Sequence, residues 1–173
     1  MSEEINNDNN NDNNNEMPFS PISRSLRNNR EVYKLRLILL GDANVGKTTI
    51  RKYLEFGEKK FTVPTVGLDT TILQWNTKYL NKYDIRIFVK DIPGQLDRFR
   101  SISSVHYRGA HAAAFLCSMD DLQSVYNLES WMNDLKNSAP DDIECMLLIN
   151  KFDILKSEEL KKDKNNDNNN NNN

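Results

Sequence analysis

The chain is poor in the residues that mark several protein classes. It has two cysteines, six glycines and five prolines in 173 residues, aromatics make up 9% of it, and 23 basic against 25 acidic side chains leave a formal net charge of -2. Cys117 and Cys145 each lie inside an apolar stretch, AAAFLCSM and ECMLLIN, which excludes a disulfide-stapled scaffold. Both read as small buried hydrophobes in a reducing compartment. The balanced charge excludes a general nucleic-acid binder, because neutralising phosphates needs a clustered excess of Lys and Arg. Any anion site must therefore be local. No run approaches the ~18 apolar residues of a membrane helix. The amino terminus, MSEEINNDNN, has neither a secretory pattern nor the Gly after Met that myristoylation requires, so the expected location is cytoplasmic.

Large apolar side chains are scarce at both ends. Residues 1–30 contain ten Asn and six large apolar side chains, and residues 164–173 are eight Asn, one Lys and one Asp. Such segments cannot bury a core, so disordered tails are expected over 1–30 and 161–173, with one domain between them over 31–160. Roughly 130 residues then carry all structure and chemistry.

Within that stretch, strand-like apolar runs alternate with helical patterns, which predicts an α/β fold around a mostly parallel sheet. VYKLRLILL (Val32 to Leu40) ends at Gly41 and reads as a buried strand, followed by a helix starting inside GKTTIRKYLEF. TTILQW (Thr70 to Trp75) and IRIFVK (Ile85 to Lys90) form an expected antiparallel hairpin at one edge. AAAFLCSM and ECMLLIN read as two more buried strands, and SVYNLESWMNDLKNS between them puts Val125, Leu128, Trp131, Met132 and Leu135 on one core-facing helical stripe.

Three motifs carry chemistry. GDANVGKT, Gly41 to Thr48, matches G-x-x-x-x-G-K-[ST] between a strand and a helix. Its glycines let the backbone wrap a polyphosphate, its N–H groups and the helix amino end supply fixed positive potential, Lys47 reaches the outer phosphates and Thr48 offers a hydroxyl to Mg²⁺. DIPGQ, Asp91 to Gln95, places a carboxylate at a strand end, where a metal-holding aspartate belongs. NKFD, Asn150 to Asp153, ends the last apolar strand at the edge where open α/β sheets bind ligands. A carboxylate there can accept the ring N–H and exocyclic amine of guanine, a donor pair that adenine lacks, which favours GTP over ATP.

With these residues in order, the chain from about Lys34 to Asp153 resembles the Ras-like small GTPases and, among them, the Rab family. LDRFRSISSVHYRGAHAAAFLCSMDD and SVYNLESW carry the Rab likeness. The resemblance implies the P-loop NTPase fold of small GTPases and a GTP/GDP and Mg²⁺ site. The nucleotide would be held by Gly41, Asp42, Ala43, Asn44, Val45, Gly46, Lys47, Thr48 and Thr49 of the phosphate loop, by Thr65 of PTVGLDT, by Asp91, Gly94 and Gln95, and by Asn150, Lys151 and Asp153 around the base. Thr48, Thr65 and Asp91 would hold the metal. Gln95 would orient the attacking water, with Lys47 as the other catalytic residue. It further implies a switch in vesicle traffic, met by an exchange factor, a GTPase-activating protein and effectors.

The chain departs from that family in four places. DIPGQ has Ile92 and Pro93 where the family has Thr-Ala, and a proline stiffens a loop that must reorder when γ-phosphate leaves, so altered hydrolysis or weaker switching is expected. Leu96 and Asp97 stand where Rab proteins have one Glu, which puts the exchange-factor response in question. Thr70, Lys90 and His106 occupy the positions of an aromatic effector-binding cluster, so ordinary Rab effectors are not expected. Last, twenty residues follow Asp153, too few for a sixth strand with its base loop and a closing helix, and no terminal Cys offers a prenyl anchor. The expected sheet is therefore five-stranded, mostly parallel with one antiparallel edge strand, and lacks the last strand and helix. A degenerate, non-catalytic relative acting as an interaction protein is the rival reading.

Overall fold

The computed structural model describes residues 31–58, 60, 62, 68–75, 83–94 and 105–154, and the backbone of 19–21. Its elements in chain order are β1 (Phe19–Pro21), β2 (Glu31–Leu40), α1 (Lys47–Phe56), β3 (Asp69–Trp75), β4 (Tyr83–Asp91), β5 (Ala112–Ser118), α2 (Leu122–Tyr126), α3 (Leu128–Lys136) and β6 (Glu144–Asn150). They form one sheet of order β1-β3-β4-β2-β5-β6. β2 runs parallel to both β4 and β5, and β6 runs parallel to β5. β3 is antiparallel to β4, with Asp69 opposite Asp91 and Trp75 opposite Ile85, as the hairpin reading expected.

The edge differs from expectation. Phe19–Pro21, from the Asn-rich segment, pairs antiparallel with β3 through Phe19↔Trp75 and Pro21↔Leu73, so among the described residues the sheet has six strands and two antiparallel pairs. A proline is compatible with this position because an outermost strand does not need every N–H for a ladder bond.

The period of two along β2 divides the interior into two layers. Ile38 and Leu40 join Ile92, Tyr107, Phe115, Trp131 and Leu135 on the face covered by α3. Leu39 points the other way, to Val45, Leu73, Val89 and Leu116, against Ile50 and Leu54 of α1. Helices thus cover both faces of the sheet, and the strand ends Leu40, Asp91, Ser118 and Asn150 reach its carboxyl edge together.

Three burial expectations are corrected. β2 is buried only at Ile38, Leu39 and Leu40, while Val32, Tyr33 and Leu35 are exposed. β6 is exposed along much of its length, at Cys145, Met146, Leu147 and Ile149, because among the described residues it is the last strand of the sheet, with β5 beside it on one side only. Cys145 is therefore not a buried hydrophobe, whereas Cys117 on the central strand β5 is. The predicted single helix is two. Asp121 caps α2 by accepting from the backbone N–H groups of Gln123 and Ser124, and α3 begins after Asn127. Trp131 and Leu135, one turn apart, face the core, but Val125 on the separate short α2 and Met132, rotated by about 100° from Trp131, face solvent.

Candidate functional site

The phosphate loop turns sharply between β2 and α1. Asn44 and Gly46 adopt left-handed backbone, at φ 64° and 104°. At the φ of Gly46 a side chain is strained, and a Cβ there would fall 2.1 Å from Asn150 Nδ2 and push the amide off the loop, so glycine suits the contact with the end of β6. α1 starts with no side-chain cap and no acidic residue in its first turn, which leaves its amino end positive and free for an anion.

Lys47 is 5% exposed and curls back over the loop. Its Nζ donates to Gly41 O at 2.7 Å and Asp42 O at 2.6 Å, which stretches the side chain along the concave side of the turn. Burial lowers its pKa to about 8, and the carboxylates of Asp91 and Asp42 oppose that shift. An ammonium held this way gains from an incoming phosphate, which supplies the negative charge that burial removed.

Thr48 Oγ1 donates to Asp91 Oδ2, and Asp91 is completely buried at the end of β4. A hydroxyl and a carboxylate converging at the amino end of α1 form an all-oxygen donor set, the chemistry that suits Mg²⁺. Thr49 Oγ1 lies 3.3 Å from Thr62 Oγ1, joining α1 to the segment that leads toward β3. Thr65 and Gln95, the remaining expected metal and water residues, lie outside the described residues.

Gly94 packs directly on the phosphate loop. A Cβ there would sit 2.2 Å from Ala43 N and 2.3 Å from Asp42 C, so the turn 91–94 closes onto this backbone with Ile92 and Pro93 buried beside it. Asn150 Nδ2 donates to Val45 O at 2.8 Å, fixing β6 to the loop. Lys151 takes a left-handed φ of 61° and reaches Asp120 with Nζ at 3.1 Å. Asp120 is held below the usual carboxylate range, first by the hydroxyl of Ser118 and then by Lys151. Asp153 is exposed in the helical turn 152–154, on the same edge.

A model of the Ras family matches residues 36–173. The Ras-related protein Rab-5B of Plasmodium falciparum is 31% identical over 149 residues, covering 83% of this chain and 69% of that protein. The chain belongs to the Ras family. It is a Ras-like small GTPase of the Rab-like kind. Human Ras-related protein Rab-8B is also 31% identical, over 135 residues covering 76% of this chain, and the match spans 62% of that relative's length. Rab-8 of Diplobatis ommata is similar to the same degree, with 61% of its length matched.

Sequence reasoning missed several contacts of this Rab-like site. Asp42 does more than line the loop: its carboxylate accepts from Asn127 Nδ2 at 2.6 Å and from the indole Nε1 of Trp131 at 2.9 Å. The i, i+4 spacing of Asn127 and Trp131 was a usable signal, since two donors on one helical face can share an acceptor. Arg51, one turn after Lys47, is buried and joins Asp69, Thr71 and Glu55. No local pattern announced it, because two of its partners come from β3. Thr70 and Lys90 are cross-strand partners. Burial lowers the pKa of His106, and the nearby charge of Lys90 adds to that shift. His111 Nδ1 accepts from the Arg36 backbone N–H at 3.0 Å, tying the start of β5 to β2. Among the described residues no group of His, Cys, Asp and Glu could by itself hold a metal ion, and no helix is long and apolar enough to cross a membrane.

Proposed function

We propose that this Rab-like GTPase binds GTP and GDP with Mg²⁺, hydrolyses GTP, and works as a switch in vesicle trafficking. One observation carries the reading. Three separated motifs meet at a single edge, with Lys47 on the Gly41 and Asp42 carbonyls, Thr48 on Asp91, and Asn150 on Val45. A turn with an incidental lysine would not require the other two motifs to lock onto it.

In this reading the backbone from Gly41 to Thr49 wraps the phosphates, and Lys47 neutralises the outer ones. Thr48, Thr65 and Asp91 would hold Mg²⁺, which would supply positive charge to offset the phosphates. Gly94 presents its N–H toward the γ-phosphate. Gln95 orients the attacking water. Asn150 and Lys151 shape the base pocket, and the Asp153 carboxylate accepts from the two guanine donors. An exchange factor and a GTPase-activating protein would act at the switches, and effectors of the ordinary Rab type are not expected there, because Thr70, Lys90 and His106 stand where aromatic anchors are usual.

The test is competition. GDP labelled with a fluorescent N-methylanthraniloyl group should be displaced by GDP and GTP and not by ATP. Displacement by ATP alone would move the protein to another P-loop class, and no binding of any nucleotide would support the non-catalytic rival.

A further inference from the structure

Arg51 is an unusual occupant of its position. It lies one helical turn beyond Lys47, where Ile50 and Leu54 of the same helix pack into the core, and it is 4% exposed. A buried guanidinium is costly unless its donors are satisfied and its charge is matched. Nη2 donates to Asp69, Nη1 donates to Thr71, and Nη1 also reaches Glu55 at 3.2 Å. Thr71 in turn donates to the same Glu55 oxygen at 3.0 Å. Among the described residues Nε has no hydrogen-bond acceptor, and it stands 3.9 Å from Asp91 Oδ2.

That oxygen is the one that accepts from Thr48. The guanidinium is too far from it for a hydrogen bond yet close enough for its charge to act strongly in a buried setting. Any cation that depends on Asp91 therefore shares the carboxylate with a resident one. The share that reaches Asp91 depends on how fully Asp69, a half-exposed residue at the first position of β3, neutralises the guanidinium.

We propose that Arg51 is a positioning residue that holds down the affinity of the nucleotide-loaded site for Mg²⁺, with Asp69 as its counterweight. The inference rests on the nucleotide-binding reading above. It assigns metal tuning to a side chain outside the three motifs, and it joins the metal position to the strand that follows the 63–67 segment.

The two residues should act with opposite signs. Arg51→Met keeps an unbranched stem in the core and removes the charge next to Asp91, so Mg²⁺ binds more tightly. Asp69→Asn leaves the guanidinium in place with less to neutralise it, so Mg²⁺ binds more weakly. The readout is the release rate of N-methylanthraniloyl-GDP from the full chain as free Mg²⁺ is buffered from micromolar to millimolar. The magnesium concentration at half-maximal release should fall roughly ten-fold in Arg51→Met and rise several-fold in Asp69→Asn. Far-UV circular dichroism checks that each variant is folded. If Arg51→Met does not fold, the upward shift in Asp69→Asn alone decides. Midpoints that stay at the wild-type value, or that move in the same direction in both variants, overturn the inference. Wild-type protein that binds no labelled GDP at any magnesium concentration overturns the nucleotide reading and this inference with it, a result distinct from normal binding with unmoved midpoints.

Discussion

Replacing Lys47 by Met removes the one ammonium buried in the phosphate loop, and its effect should depend on pH in a defined direction. In the folded chain burial lowers the Lys47 pKa from 10.5 to about 8, partly offset by Asp91 and Asp42. Each pH unit of displacement corresponds to about 1.4 kcal/mol, so holding the charge inside costs on the order of 3 kcal/mol. Lys47 is 5% exposed, so solvent screening takes little from that figure. Between pH 8 and 10.5 the unfolded chain keeps a proton that the folded chain has lost, and stability rises with pH wherever the unfolded state binds more protons. The cost is therefore fully present below pH 8 and is relieved as pH climbs through this window. Urea unfolding of nucleotide-free protein, followed by far-UV circular dichroism at several pH values, should show wild type gaining about 3 kcal/mol relative to Lys47→Met between pH 7.5 and 10.5. Titrations elsewhere in the chain cancel in the difference. Nucleotide adds a second signature: bound phosphate restores the ammonium, so GDP affinity should fall by up to about ten-fold per pH unit above pH 8. A wild-type minus variant difference that stays flat across the window, or slopes downward, would refute the argument.

Other consequences can be measured alongside. Trp131→Phe keeps an aromatic ring in the core but removes the N–H that bonds the Asp42 carboxylate at 2.9 Å. It should cost about 2 kcal/mol in urea unfolding, and a loss under half that would mean Asn127 alone suffices. Gly94→Ala forces a Cβ to within 2.2 Å of the Ala43 backbone nitrogen, so a destabilisation of about 1–3 kcal/mol and weaker binding of GTP than of GDP are expected in thermal and affinity measurements. Pro93→Ala frees the backbone of the DIPGQ turn and should change the single-turnover rate of GTP hydrolysis; an unchanged rate would remove the proline from the account.

Much of the carboxyl edge was legible in the residues. The strand-loop-helix around Gly41 to Thr48, the hairpin of β3 and β4, and the two strands ending at Ser118 and Asn150 follow from alternating apolar runs broken by glycine and polar turns. Apolar content alone could not tell which strands are covered. ECMLLIN and AAAFLCS have similar composition, but β5 lies inside the sheet and β6 at its edge, so Cys117 is buried and Cys145 is exposed. β1 was hidden because its pairing joins Phe19 to Trp75 across more than fifty residues, and no local period records such a contact. At the site, spacing marked Lys47, Thr48, Asp91 and Asn150. The spacing of Asn127 and Trp131 allowed a shared acceptor without naming Asp42, and the bonds from Arg51 to β3 left no trace, because a helical stripe predicts which side faces inward and not what the polar tip of a buried residue will touch. Thr65 and Gln95 lie outside the described residues, and their roles rest on the family resemblance.

The most direct test is to purify the full 173-residue chain without added nucleotide, denature it, and identify what it releases by chromatography. A phosphate loop locked to Asp91 and Asn150 predicts close to one guanine nucleotide, mainly GDP, per chain. Folded protein that releases adenine nucleotide, or none, would contradict it.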